Sequence, residues 1–163
     1  MEKCYVCCFT GHRSIPFEQV DRLLEILDDT VNKLIKNGVT TFRTGGAVGF
    51  DTIAALKIIE KKRVYPELRL ELYLPCPEQS KKWTDYNKKA YDYVISQADK
   101  IIYTSQSYFK GCMLHRDRVM VDGSDFCVAY CTKSSGGTAY TFNYAKNKGV
   151  KTFNIDILMR NRG

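Results

Sequence analysis

Short apolar runs alternate with amphipathic segments along almost the whole chain, and this alternation is the feature that most restricts its fold. Six runs have the length and composition of strands: residues 4–9, 39–43, 68–74, 100–103, 126–131 and 152–155. Helical spacing of apolar residues separates them, most clearly over residues 16–37. Crossovers of this length join parallel strands, so the pattern predicts an α/β fold with a mostly parallel sheet and helices on both faces.

Three segments carry finer predictions. Leucines at positions 68, 70, 72 and 74 alternate with other residues, which predicts a third strand with one face in water. Residues 79–97 are predicted to form a helix, and the last strand is predicted to be followed by a short tail.

The size and composition of the chain favour a single domain over residues 1–163. At 44% apolar and 26% charged residues, the chain is long enough to bury one core. Its apolar runs are too short for a signal-peptide core or a membrane span. The seven cysteines are an odd number, which favours reduced thiols. We therefore expect a cytoplasmic protein that does not enter a membrane.

The cysteine spacing does not predict a metal site. Cys4 and Cys7 are three apart in a strand and face opposite sides of the sheet. Cys127 and Cys131 share a face but lie about 13 Å apart along a strand. The cysteines are interpreted as small buried apolar residues.

Loops rich in glycine, hydroxyl and basic residues follow five of the predicted strands. They are FTGHR, TGGAVGFD, LPCPEQ, TSQSYFKGC and CTKSSGGT, at residues 9–13, 44–51, 74–79, 104–112 and 131–138. The carboxyl ends of parallel strands share one edge of the sheet, where open α/β sheets bind ligands. A ligand site is therefore expected at this edge.

The sequence TGGAVGFD is interpreted as one half of that site. It lacks the Lys-Ser/Thr pair that follows the last glycine of a P-loop, and Thr44 stands where a dinucleotide fingerprint has its first glycine. Asp51 is expected either to cap the next helix or to accept a hydrogen bond from a sugar hydroxyl or base amine. The backbone groups expected near the ligand are those of Gly45, Gly46, Ala47 and Gly49.

A second glycine sequence, SSGGT, opens a predicted helix and supplies the other half. The contacts expected there are Ser135, Gly136, Gly137 and Thr138. The contacts expected from the first loop are Thr10, Gly11, His12 and Arg13, and Arg116 and Arg118 add positive charge. Simpler roles stay open: His12 bracing its turn, and the two later arginines pairing with Asp117, Asp122 or Asp125.

These motifs, in this order, resemble the SMF/DprA-LOG (SLOG) superfamily, specifically its small stand-alone members related to YpsA. The resemblance rests on FTGHR, TGGAVGFD, PCPEQ with Trp83, YFKGCMLHRDRVMVDGSD, and GGT with Tyr144-Ala145. It covers nearly the whole chain. It implies a Rossmann-like three-layer sandwich whose glycine loops bind nucleotides or nucleotide-derived ligands.

One branch of the superfamily, the LOG-type phosphoribohydrolases, uses an arginine and a methionine four residues later, followed by P-G-G-x-G-T-x-x-E. Arg116 and Met120 match the first part, but no glutamate follows Gly136-Gly137-Thr138. Cleavage of an N-glycosidic bond needs a carboxylate. If the chain is such an enzyme, Asp51, Asp117 or Asp122 must replace the glutamate, with Arg116 beside it.

Three functions therefore stand as hypotheses, and no cofactor is predicted for any of them. The first is sensing or sequestration of a nucleotide-type ligand, and the second is N-glycoside hydrolysis of a nucleotide. The third, from the DprA branch and the net charge of +7, is single-stranded DNA binding. The excess of basic residues lies in residues 101–163, although scattered lysines give the same count. Eleven tyrosines favour a homo-oligomer.

Overall fold

The computed structural model of the protein describes residues 4–161, in which strands and helices alternate. The strands are β1 (Tyr5–Gly11), β2 (Val39–Thr44), β3 (Arg69–Leu74), β4 (Lys100–Tyr103), β5 (Phe126–Tyr130) and β6 (Lys151–Asn154). The helices are α1 (Val20–Lys36), α2 (Phe50–Lys62), α3 (Asp85–Gln97), α4 (Cys112–Asp122), α5 (Gly137–Asn147) and α6 (Ile155–Asn161). A single 3-10 turn, Phe17–Gln19, leads into α1.

The described strands form one sheet in the order β4-β3-β2-β1-β5-β6, and every pairing between neighbours is parallel. The predicted three-layer α/β fold is confirmed. The chain adds β2, β3 and β4 on one side of β1 and then returns to add β5 and β6 on the other. Strand order therefore reverses between β1 and β5, which is where open parallel sheets form a ligand crevice.

Two apolar cores lie on the two faces of the sheet. The larger one packs the sheet against α1, α2, α3 and α6, and Phe9, Phe42, Phe50 and Tyr130 are fully or almost fully buried in it. The smaller one lies under α4 and α5 and contains Cys8, Met120, Val121, Cys127 and Ala145. Burial of these aliphatic and aromatic surfaces is the main force that holds the three layers together.

The prediction that β3 has a wet face is wrong. Glu71 and Tyr73, on the supposedly exposed face, are only 8% and 6% exposed. Arg43 accounts for this, because its Nε donates to Glu71 Oε1 at 3.1 Å and its guanidinium lies 4.8 Å from the centre of the Tyr73 ring. Arg43 Nη1 also donates to the carbonyl of Met120 in α4, so a helix covers this face.

Two predicted boundaries are also corrected. The helix expected from residue 79 begins at Asp85, because Thr84 Oγ1 accepts the Asn87 N–H at 3.3 Å and caps α3 there. The expected tail is helical: Ile155 begins α6 and is fully buried. The Arg22 guanidinium of α1 donates to the Met159 carbonyl at 2.8 Å and holds α6 in place.

All seven cysteines are free thiols, and six of them are buried, with Cys4 exposed. None of the helices within residues 4–161 combines the length and the apolar character needed to cross a membrane.

Candidate functional site

A cavity of about 210 Å³ lies at the carboxyl edge of the sheet, beside the point where strand order reverses. We call it the rim cavity. It is lined by the end of β1 and its loop, the β2–α2 loop, α4 and the start of α5. Its lining residues are Thr10, Gly11, Arg13, Ala47, Asp51, Met113, Arg116, Asp117, Gly137 and Thr138.

The loop after β1 reaches the cavity because glycine lets it pass close to α2. A Cβ on Gly11 would lie 2.4 Å from the Phe50 ring, so any larger residue would push β1 and α2 apart. The His12 carbonyl accepts the Phe50 N–H at 3.0 Å, which ties this loop to the first turn of α2.

The first glycine loop uses its glycines mainly to pack against the protein. Gly49 has a φ of 82°, and a Cβ there would lie 2.3 Å from the Arg13 carbonyl oxygen. A Cβ on Gly45 would lie 2.5 Å from the Arg116 guanidinium, and one on Gly46 2.7 Å from Leu74. From this loop it is the neighbouring Ala47 that lines the rim cavity.

Asp51 lies in the wall of the rim cavity and is only 6% exposed. Its Oδ2 accepts the Ala47 N–H at 3.2 Å, so its carboxylate ties down the loop, while Gly49 occupies the N-cap of α2 without a side-chain cap. Burial raises the pKa of Asp51 from 3.8 to about 7, although the charge of Arg116 opposes the rise. Asp51 is therefore able to donate or accept a proton near neutral pH.

Arg116 and Asp117 form the opposite wall and are held by each other. Arg116 Nε donates to Asp117 Oδ1 at 2.7 Å, which matches the simpler interpretation of this arginine as an ion-pair partner. Arg116 Nη1 donates to the carbonyls of Gly45 and Tyr73, and the residue is 4% exposed. Asp117 Oδ2 accepts the Thr141 hydroxyl at 2.9 Å. The pair thus joins α4 to β3, α5 and the first glycine loop.

The second glycine loop contributes its last two members to the cavity. Gly137 and Thr138 line it, whereas Ser135 and Gly136 precede α5 at exposed positions. Arg118 is directed elsewhere, because its Nη1 donates to the Tyr140 hydroxyl at 3.2 Å.

His12 links two loops and faces a neighbouring cleft. Its Nε2 accepts the Thr132 N–H at 2.8 Å, which matches the simpler bracing role and places the ring hydrogen on Nδ1. Burial, together with the nearby charge of Lys133, lowers the pKa of His12.

Two larger clefts adjoin the rim cavity and share one lining residue each with it. The Arg13 cleft, of about 620 Å³, is lined by His12, Arg13, Ser14, Pro16, Gln19, Tyr130, Thr132 and Lys133. The Trp83 cleft, of about 570 Å³, is lined by Cys76, Glu78, Gln79, Lys81, Lys82, Trp83, Tyr108 and Met113. Arg13 joins the first cleft to the rim cavity, and Met113 joins the second.

Lys133 and Met113 line the clefts although neither was a predicted contact: Lys133 lies in the loop CTKSSGGT and Met113 in the sequence YFKGCMLHRDRVMVDGSD, and no local pattern shows which residues of these segments face a cavity. Asp122, a candidate carboxylate, lies outside the rim cavity and accepts the Tyr144 hydroxyl at 2.6 Å. Within residues 4–161, no group of three or more His, Cys, Asp and Glu side chains is arranged to hold a metal ion.

Comparison with known proteins identifies relatives across almost the whole chain. The YpsA family model, described as the YspA SLOG family, matches residues 7–161. The SPbeta prophage-derived protein YoqJ of Bacillus subtilis (strain 168) is 29% identical over 138 residues, which cover 77% of this chain and 79% of YoqJ. A UPF0398 protein of Bacillus cereus (strain B4264) is 28% identical over 160 residues, or 88% of this chain and 84% of the relative.

Two solved structures share the fold at low sequence identity. DNA processing protein A (DprA) from Streptococcus pneumoniae superposes with a TM-score of 0.68 and 14% identity, over 96% of this chain. The chain spans only 56% of that protein's length. DprA from Helicobacter pylori superposes with a TM-score of 0.65 and 17% identity, over 98% of this chain and 73% of the DprA chain. That structure is described for its single-stranded DNA binding mode.

Proposed function

Because the chain belongs to the YspA SLOG family, we propose that it binds a nucleotide or nucleotide-derived ligand at the carboxyl edge of its sheet, as a sensing or sequestering module. The observation that carries this proposal is the rim cavity, where Arg13, two carboxylates and the N-terminus of α5 converge at the reversal of strand order. An arginine attracts phosphate, the N–H groups at a helix N-terminus donate to ligand oxygens, and carboxylates accept hydrogen bonds from sugar hydroxyls.

The test begins with the purified protein. It is denatured, released small molecules are identified by mass spectrometry, and the melting temperature is then measured with nucleoside mono- and diphosphates. Binding raises the melting temperature because the ligand stabilises only the folded state. If no nucleotide co-purifies and none shifts the melting temperature, the proposal fails.

A substitution at Gly137 makes the test specific to the cavity. A Cβ on Gly137 meets only Leu114 Cδ2, at 4.0 Å, so Gly137→Val keeps the fold and places its side chain at the cavity wall. The matched control is Ser134→Val, an exposed change in the same loop. We expect Gly137→Val alone to lose the bound nucleotide, and equal retention in both variants counts against the site.

Hydrolysis of the N-glycosidic bond is a second candidate, and the contrast between Asp51 and Asp117 favours it. Burial raises the pKa of Asp51 to about 7, whereas Asp117 is ion-paired with Arg116 in the same cavity. Carboxyl groups in contrasting environments are able to divide acid and base roles. Base release from a nucleoside monophosphate, lost in Asp51→Asn with the fold intact, is the expected result. Undiminished release in this variant excludes the role of Asp51.

Single-stranded DNA is an alternative ligand supported by an aromatic and basic face of α5. Tyr140 and Tyr144 stack with ring centres 6.4 Å apart, and the Lys148 ammonium lies 5.5 Å from the Tyr144 ring centre. Bases stack on such rings, and backbone contacts give affinity that falls steeply with salt. A single-stranded oligonucleotide that outcompetes mononucleotides at low salt supports this alternative, and salt-independent mononucleotide binding opposes it.

We also propose that the protein is one cytoplasmic domain that forms a homo-oligomer. Its seven free thiols suit a reducing compartment, and Tyr103 and Phe109 are exposed aromatic residues of the kind enriched at interfaces. Light scattering after size exclusion measures the oligomeric state, and a monomer at all concentrations contradicts this part.

A further inference from the structure

The volume of the rim cavity limits how much of a nucleotide it holds. Sites that enclose a whole small-molecule ligand measure about 300–1,000 Å³, and the rim cavity measures about 210 Å³. The cavity has room for a sugar, and the rest of a nucleotide must extend into the two adjoining clefts. The side chains that line each cleft determine whether it receives the base or the phosphate of the nucleotide.

The Trp83 cleft has the flat apolar surfaces that a base needs. The Trp83 ring is partly buried and is held edge-on against Tyr91, with ring centres 5.0 Å apart. Tyr108 is 68% exposed, and its N–H donates to Glu78 Oε2 at 3.3 Å, which positions it over the cleft wall. Met113 adds a polarisable thioether. Base stacking on aromatic rings accepts any base.

Gln79 gives the same cleft a hydrogen-bonding group without a partner. The residue is 8% exposed, and its Oε1 is a buried oxygen with no hydrogen bond. Its Nε2 donates to the Gly45 carbonyl at 3.4 Å, and because a carbonyl only accepts, this contact fixes which end of the amide is the oxygen. Gln79 lines the Trp83 cleft, and a base N–H is a donor of the kind that this oxygen lacks.

The Arg13 cleft has the charge that a phosphate needs. It is lined by two cations, Arg13 and Lys133, and by the hydroxyls of Ser14 and Thr132, with no carboxylate among its described lining residues. His12 also lines this cleft, and its ring hydrogen is on Nδ1 because Nε2 already accepts the Thr132 N–H. The lining of the Trp83 cleft, in contrast, includes the acidic Glu78 as well as Lys81 and Lys82.

We infer that a nucleotide lies across the rim with its base in the Trp83 cleft, its sugar in the rim cavity and its phosphate in the Arg13 cleft. Asp51 and Asp117 line the rim cavity, and carboxyl oxygens accept hydrogen bonds from sugar hydroxyls, which agrees with the sugar lying between the clefts. This inference rests on the proposed nucleotide binding and adds the direction in which the ligand lies.

The test is a crossover between two kinds of variant. AMP, CMP, GMP and UMP are titrated by calorimetry, and the tightest is compared with its nucleoside and with ribose 5-phosphate. Trp83→Ala and Tyr108→Ser are expected to weaken the nucleotide and nucleoside by about tenfold or more and to leave ribose 5-phosphate within about twofold. Lys133→Ala, at a cation that lines the Arg13 cleft and not the rim cavity, is expected to weaken the nucleotide and ribose 5-phosphate but not the nucleoside.

Matched controls separate binding from folding. Tyr86→Ser and Arg63→Ala remove an exposed aromatic and an exposed cation that line neither cleft, so they leave all three affinities unchanged. Tyr108 is mostly exposed, so Tyr108→Ser is expected to leave folding unchanged. It therefore tests the base cleft even if Trp83→Ala lowers the melting temperature.

The two proposals fail in different ways. If the wild-type protein binds none of the four nucleotides, the proposed function fails and this orientation with it. If a nucleotide binds but the aromatic variants weaken ribose 5-phosphate equally, or Lys133→Ala weakens the nucleoside as much as the nucleotide, only the orientation is overturned.

Discussion

Replacing Asp51 by asparagine removes a buried charge while keeping the contact that the residue makes. Asp51 is 6% exposed, and its Oδ2 accepts the Ala47 N–H at 3.2 Å, a bond that an asparagine oxygen also accepts. Burial raises the pKa of Asp51 from 3.8 to about 7. The native state therefore holds this proton more tightly than the unfolded state does, and stability is lost as the pH rises through this window.

The size of the effect follows from the displacement of the pKa. Each pKa unit corresponds to 1.36 kcal/mol, so the full displacement destabilises the wild-type protein by roughly 4 kcal/mol above pH 7. Between pH 5 and pH 8, the free energy of unfolding of the wild-type protein falls by roughly 2–3 kcal/mol from this cause. The asparagine variant does not lose stability in this way, so the difference in free energy of unfolding between the variant and the wild type grows with pH in favour of the variant.

Urea denaturation at pH 5, 6, 7 and 8 measures the free energy of unfolding of both proteins. Taking the difference between them cancels the other titrating groups, including His12, whose pKa is lowered. Asp122→Asn is the control for the same change at an exposed carboxyl group. A difference between Asp51→Asn and wild type that does not change from pH 5 to pH 8 refutes the reasoning.

Three further predictions concern the packing around the rim. Gly11→Ala is expected to destabilise the folded protein by about 1–3 kcal/mol, because its Cβ would lie 2.4 Å from the Phe50 ring. Gly137→Ala is the control and is expected to leave the stability almost unchanged. Equal unfolding midpoints of the two variants in urea contradict this prediction. Arg116→Met removes the ion-pair partner of Asp117 and a donor to the Gly45 and Tyr73 carbonyls. It is expected to cost about 3–5 kcal/mol, measured in the same way; a loss below about 1 kcal/mol contradicts it. Phe50→Ala, at a fully buried position, is expected to lower the free energy of unfolding by about 3–5 kcal/mol, and a wild-type melting temperature contradicts that.

Local patterns predicted most elements because each one depends on its own residues. The spacing of apolar residues in α1 is set by the turn of the helix itself, and its buried residues follow that spacing. The start of α3 was missed although its cap, Thr84, is local, whereas the other two predictions that failed depend on partners distant in sequence. Glu71 is buried because Arg43, 28 residues earlier, pairs with it, and α6 forms where Ile155 and Met159 pack against the larger core.

The candidate site also has a part that local patterns predict and a part that depends on distant contacts. The glycine and hydroxyl sequences fall at strand ends, so a rim of loops was predictable from the parallel order alone. The residues that converge on the cavity were not predictable, because they depend on the direction of each loop. Ala47, Gly137 and Thr138 line the rim cavity. Gly46 instead packs beside Leu74, and Arg118 donates to the Tyr140 hydroxyl.

The sequence by itself determined the layers, the parallel sheet and the edge at which a ligand is expected, because hydrophobic periodicity and crossover length are local properties. Only the tertiary structure decided that Asp51 is buried opposite the Arg116–Asp117 pair, and that an aromatic cleft and a cationic cleft adjoin one small cavity. Burial, pKa and cavity shape arise from the packing of segments far apart in the chain, and no local pattern records them.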